Sequence, residues 1–227
     1  MCKNRCVHGF DNLTDSLRSF FARLGSKTPI PTTTLPERID YLILGLGNPG
    51  GRYDATRHNV GYMAVDDILA TRGDILTPVH GAPLSIAVTD HDGRCIVVAR
   101  SQTYMNNSGE AIEAIRQHLE LDASQVLVIH DELDLPAGAV KIKRGGNENG
   151  HNGLKSLSAA LGTRDYVRVR IGIGRPPKNE SIPIPTWVLS PIDSSPEMEE
   201  AIARAAEGAW LAAADSVSAA QNRINRR

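Results

Sequence analysis

From residue 40 onward, short apolar runs alternate with longer stretches in which apolar positions recur every three or four residues. Such an alternation of strands and amphipathic helices is expected of an α/β sheet covered on both faces. The runs predict strands at 40–46, 84–90, 93–100, 125–130, 139–144 and 166–173. Helical spacing predicts helices at 60–72, 107–120, 151–161 and 196–221, with Asn59, Asn107 and His151 or Asn152 near their starts. Only His91-Asp92-Gly93 joins the second and third strands, which is too short for a crossover helix, so these two form an antiparallel hairpin. The expected fold class is therefore α/β: a single domain with a mixed, mostly parallel, twisted sheet and helices on both faces.

The first 38 residues read differently. Phe10, Leu13, Leu17, Phe20 and Leu24 fall at helical spacing and are followed by the breaker-rich KTPIPTTTLP. This predicts an N-terminal extension over 1–38, a short amphipathic helix plus linker, ahead of a domain at 39–227. Asp11 and Asp15 argue against a transit peptide, which avoids acids. No window approaches the roughly 18 apolar residues of a membrane span, so no membrane partner is expected. Three scattered cysteines, Cys2, Cys6 and Cys95, make neither a disulfide framework nor a zinc site, and a reducing cytoplasm is the expected compartment.

The strand at 40–46 runs into GLGNPG, residues 45–50, which has the G-x-G-x-x-G form of dinucleotide folds. Two features fail. Pro49 biases Asn48 away from the α region and the helix is delayed to about residue 60. The acidic residues at the right distance, Asp66 and Asp67, lie inside a helical pattern instead of at a strand tip. The glycines are therefore expected to build a tight turn that presents Asn48 at the carboxyl end of the strand, where open α/β sheets place ligands. No cofactor is expected.

Four further stretches put unusual polar residues at strand ends or helix starts: Thr56–Asn59, Tyr104–Gly109, His130–Asp134 and Gly150–Leu154. His58 precedes a helix, and Asp131 ends a very apolar strand, where it can serve as the carboxylate partner of an imidazole base. There is no G-x-S-x-G, Cys95 lies within a strand, and no His-x-x-x-His or acidic cluster suggests a metal, so the attacking group is expected to be water. Water activated by imidazole suits an ester, whose leaving alkoxide is better than an amine. Asn48, Asn106 and Asn152 supply neutral amides able to donate to an oxyanion or to read a peptide or nucleotide backbone.

Charge adds a separate clue. The chain carries a net −1, yet residues 141–178 hold nine basic residues against Glu148 and Asp165, a local +7. Arg168 and Arg170 alternate with apolar residues in one strand and so share a face. Beside the candidate crevice, such a stretch favours contacts to a phosphate backbone.

Together, GLGNPG with Tyr53, TRHN at 56–59, Tyr104–Asn106 with Ser108-Gly109, HDELD at 130–134, GHNGL at 150–154 and RVRIGIG at 168–174 resemble the bacterial-type peptidyl-tRNA hydrolase family, over residues 40 to 223 in order. The resemblance implies a monomeric, metal-free esterase that cleaves peptide from tRNA and recycles tRNA from stalled translation. It implies catalytic roles for His58, Asp131 and Asn48. Around the substrate it places Tyr53, Asn59, Tyr104, Met105, Asn106, His151 and Asn152. It also implies that Lys141, Lys143 and Arg170 hold phosphates of the partner, peptidyl-tRNA, through its acceptor stem and 3′ end. The rival reading is a non-catalytic RNA-binding or splicing factor on the same scaffold. Two stretches depart from the family: Arg100-Ser101-Gln102-Thr103 stands where it usually has Lys-Pro, and Asn147-Glu148-Asn149 where its loop is rich in glycine.

Overall fold

Seven strands form one sheet in a computed structural model of the protein, which describes residues 31–226. They are β1 (Tyr41–Gly45), β2 (Thr77–Pro78), β3 (Leu84–His91), β4 (Arg94–Ser101), β5 (Val126–Glu132), β6 (Val140–Arg144) and β7 (Val167–Gly172). Their order is β2-β3-β4-β1-β5-β7-β6. The centre, β4-β1-β5-β7, is parallel, and the outer pairs β2-β3, β3-β4 and β6-β7 are antiparallel, giving the mixed sheet expected from the sequence. The β3-β4 hairpin turns on Asp92 and Gly93, at φ 52° and 77°, as a two-residue primed turn requires.

Leu42, Ile43 and Leu44 are all fully buried because the central strands are covered on both sides. Ile43, Leu127 and Ile129 face α1 (Val60–Arg72), the alanine-rich α5 (Pro196–Ala214) and α6 (Val217–Ile224). Leu42, Leu44 and Val128 face α2 (Glu110–Arg116) and α3 (Asn152–Leu161). On α5, Ala201, Ala205, Ala209 and Ala212 form the buried stripe, small side chains that bring this long helix close to the sheet.

Two helices differ from expectation. The helix predicted at 196–221 is two, because Asp215 leaves helical geometry and the Ser216 hydroxyl, accepting from the Ala219 amide, caps a new start. The one predicted at 107–120 is a 3₁₀ turn over Met105–Asn107 followed by the shorter α2. At their junction Gly109 is pressed on Ser156, where a Cβ would meet the Ser156 carbonyl oxygen at 2.4 Å. A fourth helix in chain order, α4 (Ile184–Val188), lies in a proline-rich stretch that carries no helical periodicity.

The outer rim of β6 is met by side chains of the C-terminal segment, Asn225 foremost. The Asn225 carboxamide accepts from the Ile142 amide at 2.8 Å and donates to its carbonyl at 2.9 Å, imitating a further strand. At the other end, Thr33 exchanges backbone hydrogen bonds with Pro78 and His80, each 2.9 Å, and Leu35 packs on the core. The compact unit that holds the sheet begins at Thr32. The helix expected at 10–24 lies outside the described residues. Among the described residues no helix is long and apolar enough to cross a membrane.

Candidate active site

The strand β1 leads into the loop carrying Asn48, and β5 ends in His130, Asp131 and Glu132, so both deliver polar groups to the carboxyl edge of the sheet. The glycines before Asn48 serve packing more than turning. A Cβ on Gly45 would meet the Gly61 carbonyl oxygen at 2.6 Å, and one on Gly47 would meet the Tyr62 ring at 2.7 Å. Of the three in GLGNPG, only Gly50 has a left-handed φ, 104°. The chain then continues as turns and a 3₁₀ segment, Arg57–Asn59, before α1 begins at Val60, so no helix end stands where a pyrophosphate would need it.

That 3₁₀ segment aims His58 at Asp131, with Nδ1 2.8 Å from Oδ1. The same oxygen takes a second imidazole: His151 Nε2 lies 2.9 Å away. His151 caps α3, its Nδ1 accepting from the Leu154 amide at 3.3 Å, which places its proton on Nε2 and makes it a donor to Asp131. His58 likewise donates through Nδ1, leaving Nε2 as an acceptor. Burial would push the Asp131 carboxyl up, but His58 and His151 outweigh it and hold it well below the usual carboxylate range. His130, behind them, is pushed down to about 3 by burial and by neighbouring His151, and its Nδ1 bonds the Asp131 carbonyl at 2.7 Å. It is a neutral ring at neutral pH.

His58, Asp131 and His151 also have the composition of a metal triad, with ligand atoms within 4.8 Å of one another. Their hydrogen bonds argue for protons instead. Both imidazoles direct N–H groups at one oxygen, and ligation through His151 Nε2 would put a proton on Nδ1 facing the Leu154 N–H.

These groups line a cavity of about 470 Å³ together with Asn48, Met105, Asn106 and Asn152. The Asn48 Oδ1 accepts from the Met105 amide at 2.9 Å, so its NH₂ is the group left for a ligand. Met105 is buried and holds Asn48 through its backbone. Asn106 and Asn152 reach the cavity from the 3₁₀ turn and the first residue of α3. Asn59, by contrast, is 0% exposed and spends its amide on the Asn48 backbone, at 2.8 and 2.9 Å. It lies beneath the site and cannot touch a ligand. Tyr53 and Tyr104 stand outside the cavity as an edge-to-face pair 6.3 Å apart, with Tyr104 53% exposed.

The departures from the family pattern are put to structural use. The Thr103 hydroxyl donates to the Asn107 carbonyl at 2.9 Å and bonds the Ser101 hydroxyl at 2.7 Å, which braces the turn carrying Asn106. Arg100 pairs with Asp66 and donates to the Tyr62 carbonyl at 2.7 Å.

The cavity also has an apolar wall not expected from the sequence, formed by Ile184, Pro185, Val188 and Leu189 on and after α4. It is tied to the segment carrying His58 through Arg57, which donates to the Pro191 carbonyl at 2.6 Å and stacks 3.8 Å over the Trp187 ring. Arg57, within the TRHN motif, was the one available signal.

The basic stretch is less uniformly free than its count suggests. Arg168 is 1% exposed and donates to the Asn147 carbonyl at 2.7 Å, and Arg170 pairs with Glu132 at 2.9 Å. Lys141 donates to the Asn225 carbonyl at 2.6 Å. Lys143 is pushed below the usual lysine range by burial and by Arg170 and Arg168 beside it.

A family profile for peptidyl-tRNA hydrolase matches residues 42–227. Peptidyl-tRNA hydrolase 2 of Corynebacterium glutamicum is 50% identical over 188 residues, covering 82% of this chain and 88% of that protein. Peptidyl-tRNA hydrolase of Frankia casuarinae is 44% identical, covering 82% and 93%. The crystal structure of peptidyl-tRNA hydrolase from Acinetobacter baumannii superposes with a TM-score of 0.75 at 30% identity, over 83% of this chain and 97% of that one. With its sheet, its cleft and its histidine–aspartate pair in place, the chain belongs to the peptidyl-tRNA hydrolase family.

Proposed function

We propose that this chain hydrolyses the ester joining a peptide to the 3′ ribose of tRNA, with His58 as general base. His58 Nε2 takes a proton from water as the water oxygen attacks the ester carbonyl, and Asp131 stabilises the imidazolium that forms. The Asn48 NH₂ donates to the developing oxyanion. Collapse breaks the bond to the ribose oxygen, which takes the proton back from His58, leaving a 3′ hydroxyl and a carboxylic acid that ionises by losing its proton to solvent. Asn106 and Asn152 bind the substrate at the cavity rim, and His151 acts through Asp131. Tyr53 and Tyr104 offer ring surface to the tRNA end beside that rim. Lys141, Lys143 and Arg170 anchor acceptor-stem phosphates.

The observation that carries this reading is the 2.8 Å His58–Asp131 hydrogen bond at the wall of a cavity in a member of a hydrolase family. It also favours an enzyme over a non-catalytic RNA-binding factor. All the proposed groups come from one chain, in keeping with a monomer, and a translation substrate is in keeping with the cytoplasm. The test is incubation of purified protein with N-blocked and with free aminoacyl-tRNA while tRNA release is followed. Rapid release from the blocked form and slow release from the free form is expected; release from neither removes the esterase reading.

A further inference from the structure

The loop 145–151 brings His151 and Asn152 to the site, yet it has no regular structure and four of its residues, Gly145, Gly146, Asn149 and Gly150, take left-handed φ values of 66°, 101°, 49° and 83°. Nothing in such a backbone fixes one arrangement by itself. Two arginines grip it from outside. Arg168 holds the Asn147 carbonyl, and the Arg164 Nε lies 2.6 Å from Glu148 Oε1. Glu148 is buried, and its own carbonyl accepts from the His151 amide at 2.8 Å. Burial would push the Glu148 carboxyl up, but Arg164, its own backbone and Ser158 hold it at about 2. The residue stands between the catalytic cavity and a second hollow bounded by Lys155, Ser158 and Arg164, so moving it would move the wall between them.

We propose that the Glu148–Arg164 ion pair is the latch of this loop, a positioning pair that sets where His151 meets Asp131 and where Asn152 meets the substrate. It rests on the His58–Asp131 reading of the site and deepens it. The chain of contacts is short: Arg164 to the Glu148 carboxylate, the Glu148 carbonyl to the His151 amide, and His151 Nε2 to Asp131. The Arg164 side chain is 61% exposed and that of Glu148 only 9%, so solvent can in part take the place of the lost arginine, and the loss acts first on the loop.

The test uses the full chain and a minimal substrate, a blocked amino acid esterified to a short 3′ fragment, so that distal tRNA contacts are out of the measurement. Glu148→Gln and Arg164→Gln are each expected to lower kcat, by up to the ~10²-fold that a 1 Å misplacement of catalytic groups can cost. The double variant is expected to lose no more than either single one. The acid limb of the pH–rate profile should move in the direction in which His151→Ala moves it, with melting temperature within about 4 °C of wild type. Wild-type kcat with an unmoved limb, additive losses, or a collapse of melting temperature would each overturn the latch. So would a defect confined to Arg164→Gln and to full-length tRNA that fades with salt, since that pattern assigns Arg164 to a phosphate. His58→Ala, run alongside, separates the two readings: if it stays active, the dyad reading fails on its own account.

Discussion

Two imidazoles share one oxygen of Asp131, and that arrangement sets the character of the site more than any single side chain. The hydrogen bond from His151 takes up part of the charge that would otherwise serve His58 alone. The pairing of His58 with Asp131 was legible because each ends or begins an element with a clear apolar pattern. The direction of His151 was not, because it turns on a cap geometry at the end of a left-handed loop. Burial of Asn59 was hidden for a related reason: a polar residue in a motif reads the same whether it faces ligand or backbone. His130 gives a residue-level prediction. It is depressed to about 3 in the fold against 6.5 in the open chain, so between those values the unfolded state binds a proton that the folded state refuses. Its contribution is fully present above pH 6.5 and is lost as pH falls towards 3. Unfolding at pH 5 should take up about one more proton than at pH 8, a slope of about 1.4 kcal/mol per pH unit near pH 5. Denaturant melts across this range check it, and His130→Gln should flatten the slope; an equal slope in the variant would assign the uptake elsewhere.

Helix α1 packs on the sheet at backbone distance, and this contact places the His58 segment. A Cβ on Gly61 would meet the Ile129 carbonyl oxygen at 2.4 Å and that of Leu46 at 2.6 Å, both backbone atoms that cannot rotate aside. Gly61→Ala should therefore cost at least about 1–3 kcal/mol of stability and lower activity with it, as denaturant midpoints and turnover will report. A wild-type midpoint would mean the helix can shift freely. At this scale the helix at 60–72 and every strand but the two-residue β2 were readable, since long periodic patterns reflect burial that the sheet then provides. The GLGNPG pattern pointed to a turn presenting Asn48, which does line the cavity, but two of its glycines owe their place to a helix that arrives later in the chain. The break at Asp215 and Ser216 escaped notice because the alanine-rich pattern continues across it, and α4 because prolines mask its single turn.

Over the whole molecule, the charges of the basic segment 141–178 are partly spent on Glu132, Glu148 and the C-terminal residues. Sequence counting could show the excess but not which cations are paired, since pairing depends on strand register. Replacing Lys141, Lys143 and Arg170 with alanine should weaken binding of full-length tRNA substrates and lower the salt slope by roughly 0.7–0.9 per lost contact. Cleavage of the minimal 3′ substrate should change much less. Equal losses on both would assign these residues to the fold; Arg170, paired with Glu132, is the one to examine singly. The central claim is that a single imidazole, His58, does the chemistry in a cleft whose binding surfaces lie elsewhere. Single-turnover cleavage of N-blocked aminoacyl-tRNA by the wild-type chain and by His58→Ala, with tRNA affinity measured on both, tests it most directly. The expected result is a cleavage rate lower by about 10²–10⁴-fold with affinity nearly unchanged. A variant that cleaves at the wild-type rate, or one that loses binding in proportion to rate, would contradict the claim.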